Sequence, residues 1–280
     1  MKSIVSFMAV AILALGPVTL AQAQTSPSHV PATSPASAAK AKPSPMNPQT
    51  SPPRVEASPT ASLSPPPPPT ISARTDVYHV HFTKAASGKA VQLADNLKKA
   101  DPTDPMPGHM IVLRHQEGDS WDYAVIQHMG TKATVDAARP APSPAVRDLS
   151  DWHNDTFVSG PSWADFTKAM GIDDAGKSKS AGSVYVVSVY RPAAGHRDQL
   201  EKMLGEAPGA GDTSSGNVLL QHLEGGAWTY LTVARYNSWA DYATNESNTV
   251  AATNKNEGGW YQLREHTSFH NDTVCDRIAP

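Results

Sequence analysis

The sequence contains one cysteine, Cys275, in 280 residues. An intramolecular disulfide is therefore excluded, and the stability of the folded chain has to come from a packed core. Beyond the first 23 residues no stretch approaches the roughly 18 consecutive apolar residues of a membrane-spanning helix, so we predict no transmembrane segment in the mature chain. The sequence also lacks phosphate-loop, dinucleotide-binding, nucleophile-elbow, H-E-x-x-H and C-x-x-C motifs. Nucleotide-binding, hydrolase and zinc-protease functions therefore have no support.

Residues 1–23 have the pattern of a secretory signal peptide. Lys2 precedes an apolar run from Ile4 to Leu15, and Ala21-Gln22-Ala23 resembles a cleavage site. We expect cleavage near Ala23 and a secreted or periplasmic mature protein.

Residues 24–74 contain no aromatic side chain but 14 of the 25 prolines of the chain. A segment rich in Pro, Ser, Ala and Thr buries too little apolar area to offset its ordering entropy, so we predict a disordered tether. A passive spacer is the simpler interpretation of this tether, and attachment to the cell envelope is the alternative.

The remaining residues, 75–280, are mildly acidic. They contain 18 basic and 25 acidic side chains, a net charge of −7. This balance argues against a nucleic acid as the partner. All six tryptophans lie in this part, which is long enough to bury a core. Association into a homo-oligomer stays open.

An internal repeat is the main structural signal of these residues. Aligning Val77–Ile126 with Val184–Val233 needs no gap and gives 15 identities in 50 positions. Both copies contain His-x-Glu-Gly-x-x-Trp-x-Tyr, beginning at His115 and again at His222. Similarity at a constant spacing indicates a duplication.

Each copy has the pattern of a strand, a helix and two further strands. VYHVHF and VYVVSVY are rich in β-branched and aromatic residues, as strands are. Leu93 and Leu97 in one copy, and Leu200 and Leu204 in the other, recur at helical spacing. MIVLRH and VLLQHL predict second strands, and the Glu-Gly turns lead into WDYAVIQH and WTYLTVAR.

A second similarity joins VRDLSDWHNDT, residues 146–156, to LREHTSFHNDT, residues 263–273. The apolar series Val146, Leu149, Trp152 and Phe157 favours a helix. Asn and Asp fit a helix poorly, so a closing edge strand is the alternative. We prefer the helix.

This order of elements predicts an α+β fold in which two ferredoxin-like repeats, residues 75–180 and 181–280, stack the faces of their sheets into one barrel. The pattern resembles the dimeric α/β-barrel superfamily, with its antibiotic-biosynthesis-monooxygenase-like and stress-responsive barrel families, in a fused tandem form. The resemblance rests on element order and duplication. Members of this superfamily are oxygenases, isomerases, cyclases, haem-handling enzymes and ligand binders, so the resemblance implies no single activity.

Positions that both copies retain are expected to serve the fold. Alternation places His115 on the strand face of Ile111 and Leu113, and Trp121 on the face of Tyr123. We interpret the histidine of the repeated pattern as a packing partner of the tryptophan across a hairpin.

Positions that differ between the copies are better candidates for a site. His79 and His81 stand where the second copy has valine and serine, Arg114 is matched by glutamine, and His128 by arginine. If Tyr78 and its alternate neighbours face the helices, His79 and His81 face the barrel lumen, where Arg114 and His128 could join them. The alternative is that this strand face is turned outward and only solvated. The four side chains are our candidate catalytic residues.

His266 and His270 are four residues apart and would share one face of a helix, as a pair of metal ligands does. The sequence shows no third ligand for them, so we interpret both as structural and predict no metal site. No cofactor is identified.

Two functions from different classes remain. The first is an extracytoplasmic protein that binds a small apolar or aromatic molecule in the barrel lumen. The second is a cofactor-independent enzyme of monooxygenase, isomerase or lyase type, in which His79 or His81 abstracts a proton and Arg114 stabilises an oxyanion. We prefer the first, because the sequence assures no carboxylate partner for the histidines.

Overall fold

The structure is a computed structural model that describes residues 73–135, 144–172 and 182–280. The predicted signal peptide and residues 24–72 of the predicted tether lie outside the described residues, as does the predicted boundary between the repeats at residues 180 and 181. Arg74, which the sequence places at the end of the tether, donates hydrogen bonds to Glu201 (2.7 Å) and Gln221 (2.8 Å).

The described chain forms one closed, antiparallel β-barrel of eight strands. Their order around the barrel is β1-β3-β2-β8-β5-β7-β6-β4, and β4 pairs with β1 to close the ring. The strands are β1 Asp76–Ala85, β2 Met110–Glu117, β3 Tyr123–Gly130, β4 Ser150–Gly160, β5 Val184–Pro192, β6 Gly216–Glu224, β7 Tyr230–Tyr236 and β8 Thr267–Ala279.

Seven helices accompany these strands in the described residues. They are α1 Ala90–Leu97, α2 Lys132–Val135, α3 Pro144–Arg147, α4 Trp163–Met170, α5 Arg197–Leu204, α6 Trp239–Thr253 and α7 Gly259–His266. The predicted helices around Leu93 and Leu200 are α1 and α5, and both leucines are buried. Among the described residues, no helix combines the length and the apolar character that a membrane crossing requires.

The order of strands is the same in the two halves of the barrel. The first half runs β4-β1-β3-β2, and the second runs β8-β5-β7-β6. The pairs β2·β8 and β4·β6 join one half to the other. The two halves are therefore joined at both edges, which covers part of the row of free backbone groups that an open sheet presents.

The predicted helix over residues 146–157 is wrong. The short helix α3 ends at Arg147, and β4 pairs with β1 from Ser150 to Gly160. In the second half α7 ends at His266 and β8 begins at the next residue. Asn and Asp compete for backbone hydrogen bonds inside a helix, and the long-range pairing of β4 with β1 decides for the strand here.

The predicted lumen placement of His79 and His81 is wrong, and the alternative of an outward strand face holds. Tyr78, Val80 and Phe82 point into the barrel, while His79 and His81 lie on its outer surface. The interior is filled by side chains from all eight strands: Tyr78, Val80, Phe82, Ile111, Leu113, Ala124, Ile126, Val158, Tyr185, Val187, Val218, Leu220, Leu231, Val233 and Cys275. The set of Tyr78, Val80 and Phe82 is bulkier and more apolar than the two histidines, so turning it inward removes more apolar area from water.

Trp121 and Tyr123 also lie on opposite faces, contrary to the alternation expected from the sequence. Trp121 precedes β3 and packs in the interior cluster, whereas Tyr123 packs against Leu93 on the outer face. The hydroxyl of Tyr123 donates to the carbonyl of Ala90 at 2.8 Å. Alternation holds within a strand, and Trp121 lies in the turn before it.

Helix α4 lies at the end of the barrel where β1 and β5 begin. The repeated tyrosines hold it: Tyr78 donates to the carbonyl of Pro161 at 2.8 Å, and Tyr185 donates to the carbonyl of Met170 at 2.9 Å. Phe166 of α4 is fully buried and stacks on Tyr78 with ring centroids 5.0 Å apart. This end of the interior is therefore filled with side chains.

Candidate functional site

The opposite end of the barrel, which we call the mouth, contains a cavity of about 200 Å³. Its walls include Val187 and Val189 of β5 and four aromatic side chains, which are Phe82, Trp121, Trp152 and Trp228. A groove of about 380 Å³ beside Leu204 and Leu219 is larger, but no aromatic side chain lines it. Since stacking and apolar burial are the main sources of affinity for a small organic molecule, the mouth is the better candidate site.

The repeated sequence pattern supplies two of these tryptophans. Trp121 packs against Phe82 with ring centroids 5.1 Å apart and against His115 at 5.8 Å. Trp228 lies 5.8 Å from His222 in the same way. The expected contact between histidine and tryptophan is therefore present in both halves.

The same two histidines each have an unused polar atom. The Nε2 atoms of His115 and His222 are buried, and neither finds a hydrogen-bond partner within the described part of the chain. Buried polar atoms are normally paired, so both imidazoles have hydrogen-bonding capacity beside the tryptophans of the mouth.

Each half also has a His-Asn-Asp-Thr segment at the mouth. The segment of one half contacts the Glu-Gly turn of the other. Thr273 Oγ1 accepts from the backbone amide of Asp119 at 3.3 Å, and Thr156 Oγ1 accepts from the amide of Gly226 at 2.9 Å. Each Glu-Gly turn is thus bound by the threonine of the opposite half. Both repeated patterns are explained by this crossed contact.

The glycines of these turns allow the close approach. Gly118 has φ +128°, and a Cβ there would lie 2.4 Å from the carbonyl oxygen of Asp272. Gly225 has φ +119°, and its Cβ would lie 2.2 Å from the carbonyl oxygen of Asp155. No L side chain fits either position without moving the backbone.

The mouth is not symmetric in charge. Asp119 lines the cavity, whereas the equivalent position of the second half is Gly226. Asp119 Oδ2 accepts a hydrogen bond from Asn271 Nδ2 at 3.0 Å. The cavity therefore combines aromatic walls with one oriented carboxylate.

The four predicted catalytic residues do not form one site. His79 and His81 lie together on the outer face of β1, where both contact Asp155. Arg114 is 52% exposed and forms a two-pronged hydrogen bond with Asp276 of β8. Strand β3 lies between the histidines and Arg114.

His128 belongs to a separate, buried group. Its Nε2 lies 2.8 Å from Asp76 Oδ2, and its Nδ1 lies 3.2 Å from Nδ1 of His109. Trp163 of α4 stacks on both imidazoles. Burial lowers the pKa of His128 below its ordinary value of 6.5, although the hydrogen bond that its Nε2 donates to Asp76 opposes this change.

Asp155 is the functional candidate that the sequence did not identify. Burial alone would raise the pKa of its carboxyl, but hydrogen bonds from His79 and His81 outweigh burial and hold the pKa well below its usual range. A strand pattern would have revealed it, because His153 and Asp155 then alternate onto one face of β4. The preference for a helix obscured this signal.

His266 and His270 do not form the pair that a helix would have made. His266 ends α7, where its Nδ1 lies 3.0 Å from Nδ1 of His196. His270 lies on β8, where its Nε2 lies 2.8 Å from Asp272 Oδ1.

Comparison with known proteins gives little beyond the geometry. No family model matches the sequence. No curated protein matches it either. A solved structure of a proposed monooxygenase from Lactobacillus acidophilus NCFM aligns with 72% of this chain and 94% of its own, with a TM-score of 0.41 and 10% sequence identity.

Proposed function

We propose that this chain is an extracytoplasmic binding protein that takes a small apolar or aromatic molecule into the mouth of its barrel. The observation that carries the proposal is the cavity of about 200 Å³ with four aromatic side chains in its walls. An apolar cavity of about 150 Å³ binds benzene in another protein, so the mouth has room for one substituted ring.

The polar groups of the mouth suggest how such a molecule is oriented. Asp119 presents a carboxylate to the cavity, together with the amide of Asn154. A ligand that carries a hydrogen-bond donor or an amine beside its ring would gain a charge-assisted contact with Asp119. We expect aromatic amines to bind more tightly than aromatic acids.

The wider assignment is part of the same proposal. The shared strand order of the two halves and their cross-pairing support two ferredoxin-like repeats of the dimeric α/β-barrel type, fused in one chain. The signal-peptide pattern of residues 1–23 and the proline-rich composition of residues 24–74 support export and a tethered domain.

Binding is favoured over the enzymatic alternative by the position of the histidines. A cofactor-independent enzyme of the kind predicted would need His79 or His81 beside the bound molecule. Both lie on the outer surface of β1, and neither contributes to the wall of the mouth cavity. The general bases and the candidate ligand site are therefore on opposite faces of the sheet.

Filling the mouth tests the proposal. Ala227 lines the cavity, whereas Ser120, its equivalent in the first half, does not. We expect toluene, phenol and benzylamine to raise the melting temperature of the parent chain, and Ala227→Trp to abolish this effect. Ser120→Trp is the matched control and should bind as the parent does.

Two results would contradict the proposal. One is a parent chain that none of the three molecules stabilises or binds in calorimetric titrations. The other is binding that Ala227→Trp leaves unchanged, since the molecule would then occupy another site.

A further inference from the structure

Three imidazoles surround one carboxylate on the outer face of β1 and β4. His79 Nε2 lies 2.9 Å from Asp155 Oδ1, and His81 Nδ1 lies 2.7 Å from the same oxygen. His153 Nε2 lies 3.3 Å from the other carboxylate oxygen, Oδ2. Four groups that commonly bind metal ions thus meet at one point of the surface.

The strand register explains why they meet. His79 and His81 are separated by one residue of β1, so both side chains project outward. His153 and Asp155 are related in the same way on β4. Because His81 pairs directly with Asp155 across the two strands, the four side chains occupy one patch of the outer face.

The spacing of the ligand atoms suits a metal ion. One ligand atom from each of His79, His81 and Asp155 lies within 4.8 Å of the other two. Bonds of about 2.0–2.1 Å to a tetrahedral ion place ligand atoms roughly 3.3 Å apart. The distances of 2.9 Å and 2.7 Å from the two imidazoles to Asp155 are within about half an ångström of that spacing. The metal would replace the protons that the imidazoles now share with the carboxylate.

Neighbouring rings hold the imidazoles in place. Phe157 packs on His79 with ring centroids 5.1 Å apart, and His153 lies 5.4 Å from His81. The side chains of His79 and His81 are 22% exposed and that of Asp155 is 43% exposed. An ion therefore reaches the cluster from solvent, and the exposed side leaves the position for a fourth ligand.

The second half of the barrel is an internal control for this cluster. His270 and Asp272 of β8 correspond to His153 and Asp155, and they contact each other at 2.8 Å. The positions of His79 and His81 are occupied there by Val186 and Ser188 of β5. The shared fold therefore needs no histidine at these two positions of the first strand.

We propose that His79, His81 and Asp155 bind one divalent transition-metal ion, with His153 as a fourth ligand. Imidazole nitrogen together with a single carboxylate favours zinc, copper, nickel or cobalt over magnesium and calcium, which prefer sets of oxygen ligands. Trp152 and Asn154, which are the residues of β4 that line the mouth, alternate with His153 and Asp155, so the metal site and the mouth cavity lie on opposite faces of β4.

Zinc titration of the full, untagged chain tests this inference. After dialysis against a chelator, calorimetry should show one high-affinity zinc ion per chain, and cobalt should give the visible bands of a tetrahedral site. We expect His81→Ala to weaken zinc binding by at least about tenfold. Loss of a residue that only supports a ligand already costs about tenfold, and loss of a ligand should cost no less. His79→Ala should act in the same direction.

His270→Ala is the matched control, because it removes a histidine from the equivalent pair without the first-strand ligands. It should leave the affinity and the cobalt spectrum unchanged. Thermal unfolding of the metal-free variants shows whether each one folds. The inference is overturned if the parent chain binds no zinc, if folded His79→Ala and His81→Ala chains bind as the parent does, or if His270→Ala loses the ion equally.

Discussion

At the scale of single residues, Asp119 distinguishes the two halves of the mouth. It is the acidic side chain in the cavity wall, and Asn271 fixes the direction of its carboxylate. Charge at this position should select among ligands that fill the cavity equally well, since hydrogen bonds to charged groups are stronger than neutral ones.

We therefore expect Asp119→Asn to weaken binding of benzylamine about fivefold, which corresponds to roughly 1 kcal/mol for a partly exposed contact. Binding of toluene should change little, because toluene offers no donor. Calorimetric titration of both molecules measures the difference. Equal losses for benzylamine and toluene would show that Asp119 shapes the cavity and does not select charge.

His128 predicts a dependence of stability on pH. Burial disfavours its charged form, so its pKa in the folded chain lies below the ordinary 6.5, with Asp76 opposing this change and His109 adding to it. Its contribution to stability is therefore complete above about pH 6.5 and is lost as the pH falls below that value. The melting temperature should fall on acidification, and less steeply in His128→Asn. If the melting temperature of His128→Asn depends on pH as steeply as that of the parent, His128 is not the cause of the pH dependence.

The sequence identifies His128 as a candidate site residue, but it does not identify Asp155. His79, His81 and His128 stood out because the duplicated copy has other residues at their positions. Asp155 was not distinguished, because the second copy also has an aspartate there. Both halves have this aspartate, but only in the first half does the neighbouring strand place histidines beside it.

At the scale of elements, the Glu-Gly turns and the His-Asn-Asp-Thr strands hold the two halves together. Each turn packs on the strand of the other half, with Gly118 against Asp272 and Gly225 against Asp155. Both patterns occur in both halves because each is one side of the same contact.

We expect Gly118→Ala and Gly225→Ala each to lower the free energy of unfolding by about 3 kcal/mol, since both combine a positive φ with a clash against backbone. Gly88→Ala and Gly195→Ala are matched controls: they also have positive φ, but no atom lies within 4 Å of an added Cβ. Each control should cost about 1 kcal/mol. Denaturant unfolding measures all four, and equal losses in the two pairs would contradict the crossed contact.

The sequence predicts the order of most of these elements, but it does not predict that β4 is a strand. Periodicity located α1, α5 and three strands of each half, which are β1, β2 and β3 in the first and β5, β6 and β7 in the second. The segment from Val146 to Phe157 was misassigned, because its apolar spacing fits a helix by chance and its pairing with β1 is not local. Tertiary pairing overrode the local pattern there.

At the scale of the whole molecule, closure of the barrel determines which surface can bind. Alternation shows that a strand has two different faces, but it does not show which face turns inward. Tyr78 and Tyr185 fill the end under α4, while the tryptophans leave space at the mouth. The same closure places the histidine cluster of β1 outside, away from the cavity of the mouth.

The most direct measurement is a crystal structure of the chain soaked with bromobenzene, using the anomalous signal of bromine. The account predicts one strong peak in the mouth, between Trp121 and Trp228, and its loss in Ala227→Trp. Bromine density only at other positions, with the mouth unaltered at saturating concentration, would contradict it.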